Sequence, residues 1–263
     1  MRASEAITAT AIAVFLAGNA LAAPLFPNSV ASNDLDYIRA SDPSVFQCLE
    51  YVGQDRREMP GHLRSNRLMA DGTHVFTARF TDGTSVEIWV HADFGSARAA
   101  QTQAQRLTQP LGKLPTFMRA RLNHVVVQEG DAAAFEEADG GFFAVYADNM
   151  ATRLRNNDLE ETVFHEAAHV TFDPEYAGGR AWRQAQRADG AYVTRYAQNN
   201  PQKEDIPETA LFAYAMIRYP GRLPANVEAA VRASVPGKLA FFETFFGPDR
   251  PQFYRVGPQQ PCR

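Results

Sequence analysis

Two histidines four residues apart, His165 and His169, lie in the stretch "NDLEETVFHEAAHVTFDPEY", and Glu166 directly follows the first. On a helix, residues four apart project from one face, one turn apart. The two imidazoles would then converge on one point, where a zinc ion takes neutral nitrogen ligands at about 2.0–2.1 Å. Glu166 is rotated by about 100° from His165. It can face a zinc-bound water without ligating the metal and take the proton as that water attacks a carbonyl, the logic of His-Glu-x-x-His. Val163, Phe164, Ala167, Ala168 and Val170 make the surrounding helix apolar nearly all round, so it should be buried. Two imidazoles and a carboxylate are costly in such a place without a partner, and a cation removes the cost.

A catalytic zinc needs a third protein ligand and an open position. Downstream, "DGAYVTRYAQNNPQKEDIPETALFAYAMIRYP" holds Glu204 and Glu208, again four apart, at the start of a largely apolar helix. Either can be the third ligand, and the other can accept a hydrogen bond from a histidine ring N–H. One carboxylate and two neutral imidazoles leave a zinc site at net +1, enough to lower the pKa of a bound water toward ~7. Pro207 constrains the choice, because proline inside a helix removes a hydrogen bond and clashes one turn back. A helix beginning near Asp205 accommodates it in the first turn and leaves Glu204 at the entrance.

Taken together, His165-Glu166-x-x-His169 followed by Tyr196-Ala197 and Glu204-Asp205-x-x-Glu208-Thr209 resembles the glutamate-zincin metallopeptidases. The closest pattern is that of the anthrax lethal factor catalytic domain and related secreted bacterial peptidases. The resemblance implies a zincin-like fold, one Zn2+ per chain and a peptide or protein substrate. It makes Glu204 the third ligand and Glu208 a hydrogen-bond partner behind the ligands. Tyr196 becomes the hydroxyl that stabilises the oxyanion, with Tyr192 the fallback. The segment Gly141–Ala147 resembles the edge strand to which such enzymes add an extended substrate. The match is specific over Asn157–Tyr219. The spacing from tyrosine to glutamate is one residue longer than in lethal factor.

Other residues carry less chemistry. His62, His74, His91 and His124 stand singly in turns or at strand edges and read as surface or packing histidines. Asp173, at the helix exit before Pro174, suits capping or hydrogen bonding to a ligand rather than ligation. Cys48 and Cys262 are the only cysteines, and in an oxidising compartment an even pair favours a disulfide. Phe241, Phe242, Phe245 and Phe246 fall at helical spacing and read as core.

The elements that must position these groups follow from pattern. "MRASEAITATAIAVFLAGNALAAPLFP" has an early Arg2, a short apolar run and small residues before a cleavable Ala, a signal-peptide layout over residues 1–23. Residues 24–263 then form one domain, secreted or periplasmic, with 24–46 a loosely structured lead-in and no membrane segment in the mature form. A net charge of −4 among scattered arginines gives no case for nucleic acid. Strands are predicted at Val75–Phe80 and Val86–His91 around Asp82-Gly83, then at Asn123–Gln128 and Gly141–Ala147. A helix after Ser96 should break at Pro110-Leu111-Gly112. Further helices run from Asn157 or Asp158 to about Phe172, from Arg180 to Arg187 and from Asp205 to Arg218, with two more at the C-terminal end. Strands before the central helix and helices after it give an α+β class. Two other functions fit the same residues, an inactive zincin-like binding protein and a zinc amidase acting on cell-wall peptides.

Overall fold

The Asp82-Gly83 turn forms the predicted hairpin, joining β2 (Met69–Phe80) to β3 (Ser85–Val90) in antiparallel register. Gly83 takes φ +88°, which a side chain rarely adopts, and a Cβ there would press on the backbone of Gly257. The computed structural model describes residues 23–262, so the signal peptide expected over residues 1–23 lies almost wholly outside the described residues.

One six-stranded sheet carries the N-terminal half, in the order β1-β2-β3-β4-β6-β5. β1 (Phe46–Glu58) pairs antiparallel with β2. β3 pairs parallel with β4 (His124–Gln128), and β4 parallel with β6 (Phe142–Tyr146). β5 (Phe135–Glu137) closes the order, antiparallel to β6. The period of two along the strands sorts side chains by face. Phe76, Ala78, Ile88, Val90, Val125, Val127, Phe143 and Val145 join the main core, while Val126 and Ala144 belong to a small cluster with Met59. On that second side His124 is stacked between Trp89 and Phe142, and burial lowers its pKa to about 4. It is a packing histidine.

The helices are α1 (Ala97–Lys113), α2 (Thr116–Arg119), α3 (Ala147–Asn156), α4 (Leu159–Phe172), α5 (Arg180–Asp189), α6 (Arg195–Asn199), α7 (Asp205–Arg218), α8 (Ala225–Ser234) and α9 (Pro236–Phe246). The class is α+β, an N-terminal sheet followed by a largely helical region. α4 lies at its centre, touching β5, β6, α1, α3 and α7. From Glu161 to Phe172 every residue of α4 is buried, which its apolar sequence requires. Phe164 and Phe172 pack on Phe246, and Phe172 also meets Phe242 of α9. Each such ring contributes about 1.5–3 kcal/mol by leaving water.

Four expectations change. α1 continues through Pro110, because Leu107 and Leu111 are buried in the core on either side of it and outweigh the one backbone hydrogen bond it lacks. α4 does not stop at Asp173-Pro174 but runs on as a π-helical turn, Asp173–Ala177. β6, which the resemblance marks as the edge strand, is flanked on both sides, and the terminal strand is β5. Residues 24–45 hold little helix or strand, yet they are packed: Val30, Tyr37 and Ile38 are buried in the main core.

Cys48 in β1 is bonded to Cys262, 214 residues away, with their Cα atoms 6.1 Å apart. Closing so long a loop stabilises by about 5 kcal/mol in the chain-entropy account. No helix among the described residues is long and apolar enough to cross a membrane.

Candidate metal centre

α4 delivers His165 and His169 side by side, and the entrance of α7 delivers Glu204 between them. His165 Nε2 and His169 Nε2 each lie 3.3 Å from Glu204 Oε2. Ligands about 2.0–2.1 Å from a tetrahedral ion stand about 3.3 Å apart, the distance from Glu204 Oε2 to each Nε2, and all three ligand atoms lie within 4.8 Å of one another. The two rings are nearly perpendicular, at 77°, with centroids 5.0 Å apart. All three residues are buried.

The other ring nitrogens face carboxylates. His169 Nδ1 is 2.7 Å from Asp173 Oδ2, one turn on, where the π-helical turn begins. His165 Nδ1 is 3.5 Å from Glu208 Oε1, an ion-pair distance just short of a hydrogen bond. Carboxylates at both Nδ1 positions favour protons there and leave both Nε2 lone pairs for a metal. Glu204 and Glu208, which the sequence leaves interchangeable, stand on opposite sides of His165.

Glu204 is the residue before α7, and Pro207 sits in the first turn, where its missing N–H has no partner to lose. Asp205, next in line, anchors the helix start: Lys238 of α9 donates to it at 2.8 Å and Gln186 of α5 at 2.8 Å. Tyr196 of α6, 41% exposed, donates its hydroxyl to Glu204 Oε1 at 3.1 Å. Tyr192 is elsewhere, its ring centroid 4.3 Å from the Lys238 ammonium. Of the two tyrosines the structure therefore brings Tyr196 to the cluster and leaves Tyr192 out.

The electrostatics are those of a site short of positive charge. Burial opposes protonation of His169, yet hydrogen bonds to Asp173 and Glu204 outweigh it and hold its pKa up to about 10. Burial raises Glu204, yet the two histidines outweigh it and hold its carboxyl well below the usual range. Glu166 is raised, by burial first, with the two histidines pulling it back. Burial and then the Glu204 charge raise Tyr196, so its phenol keeps its proton and remains a donor. The two imidazoles stand among several carboxylates, and the shifts follow from that crowding of negative charge. The donor set fits zinc in type: two imidazole nitrogens and one carboxylate oxygen, with Asp173 hydrogen-bonded behind His169 and Glu208 3.5 Å behind His165.

Sequence reasoning missed Glu136, in the middle of β5. Its Oε2 is 4.0 Å from His169 Nε2 and its Oε1 3.2 Å from Lys203 Nζ. The acidic stretch "AFEEADGG" carries no pattern that points to a site, and only the pairing of β5 with β6 turns Glu136 toward α4. His62 and His91, read singly from the sequence, also meet: their ring centroids are 4.4 Å apart, beside Asp93. Comparison with known proteins adds nothing to this geometry, since no family model, curated protein or solved structure matches the chain.

Proposed function

We propose that this chain is an exported zinc metallopeptidase of the zincin type, secreted or periplasmic, acting on a peptide or protein substrate. The observation that carries the reading is the meeting of His165 Nε2, His169 Nε2 and Glu204 Oε2 at 3.3 Å, with Glu166 on the same buried helix. His165, His169 and Glu204 would hold the ion. When bound, zinc supplies a Lewis acid and a water of lowered pKa. Glu166, whose pKa burial raises, accepts the proton of the attacking water and passes it to the departing amine. Tyr196 keeps its phenolic proton and offers it to the oxygen that becomes negative at the scissile carbon. An extended substrate would pair with the outer edge of β5, the terminal strand, rather than with β6.

Glu166→Gln is isosteric and leaves the proposed ligands intact. The purified variant should retain one zinc per chain and lose about 10²–10⁴ in kcat on a peptide library. Cleavage at the wild-type rate would overturn the mechanism. Stoichiometric zinc in the wild-type protein without hydrolysis of any peptide would favour a zincin-like binding protein. Turnover of peptidoglycan fragments alone would favour a cell-wall amidase.

A further inference from the structure

Glu208 is fully buried, and three donors meet its carboxylate. Ser29 Oγ donates to Oε1 at 2.5 Å, Val30 N to Oε2 at 3.0 Å and Thr194 Oγ1 to Oε2 at 2.6 Å. Two of the three come from the N-terminal segment that the sequence suggests is a loose lead-in. No Lys or Arg among the described residues forms an ion pair with this carboxylate, so these hydrogen bonds are what fix its position. The Oε1 atom that Ser29 holds is the one facing His165 Nδ1.

The same segment grips a second part of the site. Phe26 N donates to Val193 O at 3.1 Å, and Arg195 N donates to Phe26 O at 2.8 Å, a short parallel bridge across Thr194. Thr194 in turn caps α6 through Ala197 N at 3.1 Å, and α6 carries Tyr196. Residues 25–30 therefore lie under both α7 and α6, joined to each by hydrogen bonds rather than by apolar contact alone.

We infer that this strap is a positioning element of the metal centre, with Ser29 its principal contact: Ser29 fixes Glu208, Glu208 sets the proton of His165 on Nδ1, and His165 Nε2 is thereby aimed at the ion. This rests on His165 being a metal ligand. A buried hydrogen bond that served folding alone would be exchangeable for others without effect on the metal. Ser29 instead acts through one oxygen of one carboxylate toward one ring nitrogen.

The test is the zinc affinity of the mature chain, by competition with a chromogenic chelator, for wild type, Ser29→Ala, Ser29→Thr, Glu208→Ala and the Ser29→Ala/Glu208→Ala double variant, with far-UV circular dichroism and Tm alongside. Ser29→Ala should weaken zinc binding about 10–100-fold, the range seen when partners behind metal ligands are removed. Ser29→Thr, which keeps the hydroxyl, should restore most of it. In the Glu208→Ala background the loss of Ser29 should cost no further affinity, because the two act as one unit. Wild-type affinity in Ser29→Ala, or additive losses in the double variant, would overturn the inference and leave the metal site standing. A wild-type chain that binds no zinc would overturn the metal site itself.

Discussion

Among the described residues, two clusters contain two histidines and a carboxylate, and they are built oppositely. At His165, His169 and Glu204 the rings stand nearly perpendicular, and both Nε2 atoms point at one oxygen. At His62, His91 and Asp93 the rings are tilted 34° to each other, with centroids 4.4 Å apart. The first carboxylate has no arginine or lysine within ion-pair distance among the described residues, and its nearest positive charges are the imidazoles themselves. The second is already served: Asp93 Oδ2 takes His62 Nε2 at 2.9 Å and Arg64 at 2.7 Å, and the same guanidinium continues to Glu129 at 2.6 Å. His91 Nδ1 accepts the backbone N–H of Asp93 at 3.2 Å. Nearness of histidines and a carboxylate is therefore not what makes a cation site. What distinguishes the α4 cluster is a carboxylate with no Lys or Arg ion-pair partner among the described residues and a further carboxylate facing each outer ring nitrogen.

The largest expected effect tests that contrast directly. His165→Ala or His169→Ala should take zinc from one per chain to none by elemental analysis after dialysis, while the His62→Ala/His91→Ala double variant should keep its full equivalent. Loss of zinc from the second variant would break the comparison.

A smaller effect concerns Glu161, elsewhere on α4, which no Lys or Arg among the described residues pairs with. Glu161 of α4 accepts Ile38 N at 3.1 Å, and burial lifts its pKa from 4.5 to about 7. The folded state thus prefers the protonated carboxyl. That stabilisation is fully present below about pH 4.5, declines through the interval and is lost as pH rises through 7, a change of about 3 kcal/mol. Glu161→Gln keeps the acceptor and removes the titration. Its stability by urea unfolding should match wild type near pH 4.5 and exceed it by about that amount at pH 8. Equal pH dependence in both proteins would show that folding leaves the Glu161 pKa unshifted.

The smallest prediction returns to the supports. Asp173→Asn should weaken zinc binding about 10–100-fold, and Asp93→Asn should leave it unchanged. Equal effects from both would mean that the two clusters share the metal load.

The sequence made the α4 cluster legible because its spacing is local. His165, Glu166 and His169 lie within two turns, and the apolar residues around them announce burial. Glu204 and Glu208 are visible as a pair, yet their roles depend on where α7 starts and which way each side chain leaves it, and four-residue spacing is silent on both. β1 was missed because it alternates poorly: its outer half is exposed and its pairing with β2 shifts register three times. β5 has only three residues, too few for any period. Ser29 and Glu208 are 179 positions apart, and His62 and His91 share no element. Contacts of that kind belong to the packing of distant segments, and composition does not encode them.

Pro207 has one more consequence. The residue at the mouth of a helix ordinarily turns its side-chain oxygen inward, to accept an N–H from the second or third residue of the first turn. Glu204 occupies that mouth and makes no such bond. The third residue of α7 is Pro207, whose nitrogen has nothing to donate. One rival for the Glu204 carboxylate is thus missing from its own helix, and the oxygens stay turned outward, toward the two imidazoles and the phenol of Tyr196.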